Sequence, residues 1–240
     1  MKRKPTHTET AVDVSGVQFR WRAGAPIALE LARLTVKRGE RVFVLGPSGS
    51  GKSTLLSLIA GVATAPRGKV AVLGQDMAAL SGAERDRFRG DHLGMVFQMF
   101  NLIPYLSVLE NVLLPCRFSV ARRERAAARG GEPHDEALRL LSHLDMDDTE
   151  LLARPVTELS VGQQQRVAAA RALIGAPQLV LADEPTSALD TDRREAFVKL
   201  LFKECDAEGI TLLFVSHDMT LKPMFDRAVT LNARRAQTAA

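Results

Sequence analysis

One run of nine residues, Gly46-Pro47-Ser48-Gly49-Ser50-Gly51-Lys52-Ser53-Thr54, constrains this chain more than any other stretch. It reads G-x-x-x-x-G-K-S and lies between an apolar run, Val42-Phe43-Val44-Leu45, and a helical pattern, Leu55-Leu56-Ser57-Leu58-Ile59-Ala60. Strand, glycine-rich loop and helix in that order make a phosphate cradle. The glycines let the backbone curl so that successive N–H groups face phosphate oxygens, and the helix N-terminus adds its partial positive charge. Lys52 is placed to reach β- and γ-phosphates, and Ser53 to offer a hydroxyl to Mg²⁺. The sequence therefore predicts a site for a nucleoside triphosphate.

Composition narrows the setting. With 240 residues, 46% of them hydrophobic, the chain is long enough to bury a substantial core in one or two domains. The net charge is only +4 with both signs well represented, which reads as a mixed solvated surface rather than a nucleic-acid partner. Cys116 and Cys205 stand far apart with no metal-ligand spacing, which favours a reducing compartment without a disulfide framework. Positive residues open the chain, but no apolar stretch follows them, and every apolar run is shorter than the roughly 20 residues a membrane-crossing helix needs. A soluble, cytoplasmic protein is expected.

The first 45 residues read as β structure, with Leu29, Leu31, Leu34 and Val36 roughly alternating with polar or small residues. Residues 69–73 and 93–97 read as short strands, and Ser81 with Glu84 has capping-box spacing ahead of a charged helix. From about residue 99 the texture turns helical: Ser107 and Glu110 make a second capping box, and residues 136–144 carry apolar side chains at helical spacing. Between them, residues 117–133 are rich in Arg, Ala and Gly and read as a partly helical surface excursion; no aromatics interleave the charges as a nucleic-acid arm would require. Strands resume at 179–182, 210–215 and 228–231. A βα core interrupted by a helical insert is the simplest organisation.

Four later features extend the phosphate loop. Leu179-Val180-Leu181-Ala182 forms a buried strand ending in Asp183, placed to hold Mg²⁺, and Glu184, placed to polarise a water for attack on a γ-phosphate. Leu159-Ser160-Val161-Gly162-Gln163 opens a helix with a third capping box, Ser160 with Gln163, and makes a second anion-binding helix start. Ser187-Ala188-Leu189-Asp190 follows the acidic pair, and His217 follows the strand that ends at Val215.

With these residues in place the sequence resembles the ATP-binding cassette (ABC) ATPases over essentially its whole length. The resemblance implies an α/β P-loop NTPase fold: a RecA-like core, an N-terminal antiparallel β subdomain and an inserted α-helical subdomain, with core residues at about 10–98 and 176–232 and helical residues at about 99–175. It assigns ATP and Mg²⁺ as ligands, residues 46–54 as the phosphate loop, Gln98 as the glutamine of the joining loop, catalytic and metal-facing, and Asp183 with Ser53 to magnesium. Glu184 becomes the catalytic glutamate and His217 the switch histidine. Ser160, Val161, Gly162, Gln163 and Asp190 are expected to meet nucleotide in trans. Trp21 looks like the aromatic that stacks on adenine, with Phe19, on the same strand face, as the alternative. One departure is Val161, where the family usually has the first of two signature glycines.

Within the family, the segment Val96-Phe97-Gln98-Met99-Phe100-Asn101-Leu102-Ile103-Pro104-Tyr105-Leu106-Ser107-Val108-Leu109-Glu110-Asn111-Val112 is similar to the lipoprotein-releasing, macrolide-exporting and cell-division cassettes, the LolD, MacB and FtsE group. That likeness implies an ATPase working as a head-to-tail dimer, coupled to an FtsX/MacB-type permease, with a periplasmic protein as a further partner and no nucleic acid. The chain would sit on the inner face of the cell membrane through its permease, serving export or lipid and lipoprotein handling. The alternatives are a soluble ABC ATPase of DNA repair or translation, and an ATP-sensing module whose only support is Val161.

Overall fold

Val42 and Val44 face one side of strand β3 (Arg41–Leu45) and Phe43 the other, and all three are fully buried. A strand apolar on both faces belongs in the middle of a covered parallel sheet. The computed structural model, which describes residues 10–187, 189 and 191–231, places β3 there. The five-stranded sheet consists of β6 (Leu93–Val96), β7 (Leu179–Asp183), β8 (Thr211–Val215), β3 and β9 (Arg227–Thr230), in that order and all parallel. A second, antiparallel sheet has the order β2 (Leu29–Lys37), β1 (Thr10–Phe19), β4 (Arg67–Val72) and β5 (Gln75–Asp76).

Period-two alternation sorts side chains into two cores. Val42, Val44, Leu179, Leu181, Leu213 and Val215 pack with α1 (Lys52–Ile59) and with Val12, Val14, Leu34 and Val36 of the antiparallel sheet. Phe43, Val180, Ala182, Leu212 and Phe214 face the opposite core, with α7 (Val161–Leu173) and α8 (Thr191–Glu208). Helix α7 lies so close to β6 that a Cβ on Gly94 would stand 2.3 Å from the Ala172 carbonyl oxygen, so only glycine fits there. The remaining helices are α2 (Gly82–His92), α3 (Val108–Phe118), α4 (Val120–Gly130), α5 (Pro133–His143) and the short α6 (Thr149–Leu152). Cys116 and Cys205 are both free and buried. Among the described residues no helix is long and apolar enough to cross a membrane.

The arginine-rich segment departs in part from its sequence reading. It is helical and exposed along its outer side, as that reading has it, but its inner side is anchored: Ser119 caps α4 by accepting from the Arg122 N–H, and Arg122 is 2% exposed. Its guanidinium donates to the carbonyls of Leu93 (3.0 Å), Ala172 (2.7 Å) and Ile174, and Arg125 donates to Gly175 (2.7 Å). Buried cations are tolerated where they are hydrogen-bonded, and these satisfy the carbonyls at the C-terminal end of α7, where the helix dipole also favours positive charge. Burial pulls the Arg122 pKa down to about 10. A smaller correction concerns β6, which ends at Val96 rather than at residue 97, because Phe100 and Asn101 turn the chain with φ of 57° and 50°.

Candidate functional site

Because the five strands run parallel, β3, β6, β7 and β8 end on one edge of the sheet. Register levels those ends: Val44 pairs with Val215, Asp183 with Val215, and Val96 with Ala182. The loops that follow carry residues 46–54, Gln98, Glu184 and His217, so four distant stretches of sequence meet at the carboxyl ends of the strands, where open α/β sheets hold ligands. They surround a cleft of about 720 Å³ lined by Ala28, Ser48, Gly49, Gly51, Lys52, Ser53, Thr54, Gln98, Asp183, Glu184 and His217.

Gly51, at the N-cap of α1, has φ 94°, and a Cβ there would meet the Ala28 carbonyl at 2.6 Å. No side chain caps this helix, so its first N–H groups are left for an anion. Lys52 folds back over the loop: its Nζ donates to the carbonyls of Gly46 (2.8 Å) and Pro47 (3.2 Å) and lies 3.7 Å from Glu184 Oε1. Ser50, within the loop, is buried, and its hydroxyl has no hydrogen-bond partner among the described residues.

Asp183 closes β7, with its carboxylate facing the Ser53 hydroxyl. Burial raises its pKa above the ordinary aspartate value and the Glu184 charge adds to that, while Ser53 and Lys52 oppose it. Glu184 adopts φ 45°, a left-handed conformation that costs a non-glycine residue roughly 1–3 kcal/mol. Its N–H is held by the Val215 carbonyl at 2.9 Å, and its Oε2 stands 3.0 Å from His217 Nδ1. Mg²⁺ takes hard oxygen ligands and keeps waters and phosphate oxygens around it. The Ser53 hydroxyl, Asp183 carboxylate and Gln98 amide fit such an ion arriving with a nucleotide. Among the described residues no group of three or more His, Cys, Asp or Glu gathers to hold a metal by itself.

The remaining expected residues stand elsewhere. Trp21 does not line the cleft. It is 56% exposed beyond the end of β1, in the same loop as Ala28, with its ring edge-on to Phe19 at 5.0 Å. Phe19 is 6% exposed and part of the core, so the two aromatics do not share a strand face as expected. Ser160, Gly162 and Gln163 line a separate cleft of about 300 Å³ with Gln165, Arg166, Leu189, Arg193 and Phe197. There the capping box forms in full: Ser160 N–H donates to Gln163 Oε1 (2.8 Å) and Gln163 N–H to Ser160 Oγ (3.3 Å). Val161 is the first residue of α7 and is 47% exposed. Asp190 lies outside the described residues.

Two residues that the sequence reading passed over support the site. Arg171, nearly buried in α7, donates to the carbonyls of Phe100 (2.6 Å) and Asn101 (2.7 Å), fixing the turn just after Gln98. Its signal was a lone arginine inside an Ala- and Leu-rich helical stretch. Asn111, fully buried, donates to the carbonyls of Ile103, Leu106 and Ser107 and accepts from the Ile103 N–H at 2.8 Å.

The profile of the ABC transporter family matches residues 29–187 of this chain. The chain belongs to the ABC transporter family. It is an ATP-binding subunit of the LolD/MacB/FtsE type, with the ABC ATPase fold and ATP hydrolysis as its chemistry. It is 44% identical over 230 residues to the lipoprotein-releasing system ATP-binding protein LolD of Anaeromyxobacter dehalogenans, covering 95% of this chain and 92% of the relative. The macrolide export ATP-binding/permease protein MacB 2 of Aeromonas hydrophila is 35% identical over 232 residues, which is 96% of this chain but 34% of that longer protein. Among solved structures, the dimeric post-hydrolysis state of the ATP-binding cassette MJ0796 bound to ADP and Pi superposes with a TM-score of 0.80 at 36% identity, covering 93% of this chain and 97% of that one.

Proposed function

We propose that this ABC cassette binds two ATP molecules between two copies of itself arranged head to tail, and that Mg²⁺-dependent hydrolysis drives a membrane permease of FtsX/MacB type. The observation that carries this reading is the separation of two anion-binding features within one chain. The Lys52 loop lines one cleft and the Ser160–Gly162 helix start lines another, so a single nucleotide meets both only if a second copy supplies the second. Closure is then favoured by contacts that exist only with the triphosphate in place.

In this scheme Lys52 leaves its loop carbonyls for the β- and γ-phosphates, and the N–H groups at the start of α1 receive phosphate oxygens. Ser53, Asp183 and Gln98 would hold Mg²⁺, which would offset the charge that develops on the transferring group. Glu184 accepts a proton from the attacking water, and His217 holds the γ-phosphate side of the site and orients the Glu184 carboxylate. The exposed Trp21 stacks on adenine. Ser160, Val161, Gly162 and Gln163 cap the partner copy's nucleotide, with Asp190 beside them.

Met99, Tyr105 and Phe118 are each more than 80% exposed, and the loop bearing the first two is held by Arg171 and Asn111. An apolar surface fixed beside Gln98 suits a permease segment that must feel the nucleotide state. The chain would then work on the cytoplasmic, inner face of the membrane, with a periplasmic protein as a further partner and lipids, lipoproteins or small molecules as the transported class. Co-expression with a candidate FtsX/MacB-type permease tests the assignment. Co-purification together with Mg²⁺-dependent phosphate release supports it. Phosphate release without any membrane association would instead indicate a soluble ABC machine.

A further inference from the structure

The guanidinium of Arg194, near the start of α8, joins two loops that leave the nucleotide cleft. Its Nε donates to the Leu189 carbonyl at 2.7 Å, and one terminal nitrogen donates to Asp218 Oδ2, also at 2.7 Å. Leu189 lies five residues past Glu184, and Asp218 directly follows His217. Both anchors are firm. Leu189 is 9% exposed, and the other Asp218 oxygen caps the turn at Met219–Met224 by accepting from the Thr220 N–H (3.0 Å) and hydroxyl (2.6 Å). The Leu189 side chain in turn lines the second cleft, and its Cδ2 would be 3.8 Å from a Cβ placed on Gly162. A chain of hydrogen bonds thus runs from Asp218, beside His217, through Arg194 to Leu189, whose side chain lines the same cleft as the start of α7.

We propose that Arg194 is a positioning residue that couples the two nucleotide sites of the dimer, transmitting the state of the His217–Glu184 pair to the Ser160–Gly162 face of the same chain. The proposal rests on the head-to-tail dimer described above, because only there do these two faces serve different ATP molecules. Arginine suits this role because its rigid planar fork directs separate N–H groups at a carboxylate and a carbonyl, whereas a lysine ammonium is a point charge on a flexible stem. Coupling of this kind is reciprocal, so a loosened Leu189 on one chain weakens the response of the other site as much as the reverse.

The test uses the full chain in a Glu184→Gln background, comparing Arg194→Lys, Arg194→Ala and Asp218→Asn, with dimer formation followed by size exclusion against MgATP concentration. The same three substitutions with Glu184 intact give the Hill coefficient of ATP hydrolysis. We expect Arg194→Lys to melt near the parent temperature and to bind a fluorescent ATP analogue as the parent does. Its ATP-driven dimerisation should weaken by roughly tenfold, within the usual 5–150-fold range of coupling between sites, and its Hill coefficient should fall towards one. Adding Asp218→Asn to Arg194→Ala should change little further, as expected of two partners in one link. Should Arg194→Ala fold poorly, Arg194→Lys alone decides the matter. Unchanged dimerisation and Hill coefficient in a folded Arg194 variant, or fully additive effects with Asp218→Asn, would overturn the coupling while leaving the dimer intact. If Glu184→Gln with Arg194 present does not dimerise with ATP, the dimer itself is wrong and the coupling falls with it.

Discussion

His217 Nδ1 lies 3.0 Å from Glu184 Oε2, although 33 residues and a whole strand separate the two in sequence. The contact exists because β7 and β8 are adjacent and parallel, and because the left-handed turn at Glu184 swings its carboxylate back over the sheet edge. The same carboxylate has Lys52 Nζ 3.7 Å away on its other side. An acid, a cation and an imidazole are therefore gathered over one cleft, and each has to change partner when a triphosphate enters.

Lys52 offers the first test. Its ammonium donates to the Gly46 and Pro47 carbonyls and neutralises part of the acidic pair, so Lys52→Ala removes both the phosphate contact and an internal brace of the loop. Titration with a fluorescent ATP analogue should show binding reduced below detection at micromolar protein. Affinity equal to the parent would contradict the phosphate-loop assignment.

Trp21 is the only tryptophan in the chain, which makes adenine stacking directly observable. Adding MgATP should change its intrinsic fluorescence. Trp21→Ala should weaken ATP binding about 5–150-fold, corresponding to the 1–3 kcal/mol that a base stacked on an aromatic ring contributes, while Trp21→Tyr keeps most of the affinity. Fluorescence indifferent to ATP would move the adenine elsewhere.

Gly162→Ala separates folding from closure. The added methyl would meet nothing nearer than Leu189 Cδ2 at 3.8 Å, an ordinary contact, and the residue lies in a regular helix turn. The variant should keep its melting temperature and its binding of nucleotide to the monomer. In the Glu184→Gln background it should lose ATP-dependent dimerisation, because the methyl occupies the face offered to the partner's phosphate. Dimerisation at parental ATP concentrations would exclude that face from the interface.

Near the starts of β3 and β9, away from the cleft, Arg41 clamps Asp226: its N–H donates at 2.8 Å and its guanidinium at 2.8 Å and 3.3 Å. These hydrogen bonds hold the Asp226 carboxyl below its usual pKa. A depressed carboxylate stabilises the fold above its unfolded pKa of about 3.9 and loses that contribution as pH falls through the lower folded value. Asp226→Asn should therefore melt at a lower temperature than the parent at pH 7. The deficit should shrink as the pH is taken from about 4 downwards, with ATP affinity at pH 7 unaltered. A deficit independent of pH would mean that packing, not charge, makes the clamp.

What the sequence revealed, and what it hid, follows from the range of the interactions involved. All three capping boxes, Ser81 with Glu84, Ser107 with Glu110 and Ser160 with Gln163, form both of their reciprocal bonds, because the partners lie three residues apart and need only a helix start. The strands that carry the cleft announced themselves as apolar runs bounded by turns. Residues 117–133 did not, since composition cannot tell an arginine bound for water from one bound for the carbonyls of Ala172 and Ile174, about fifty residues on. Phe19 stood as an alternative to Trp21 for a related reason: alternation predicts a shared face only while the strand continues, and β1 ends at Phe19. Arg194 gave no local sign either, as both of its partners are loops brought together only by the sheet.

The most direct measurement is size exclusion of purified Glu184→Gln with and without MgATP, run beside a phosphate-release assay of the parent and the variant. Two chains enclosing ATP predict a monomer without nucleotide and a stable dimer with it. Turnover should fall by roughly 10²–10⁴-fold, the usual contribution of a general base. A variant that stays monomeric in saturating MgATP while still binding it, or that hydrolyses ATP at close to the parental rate, would contradict the account.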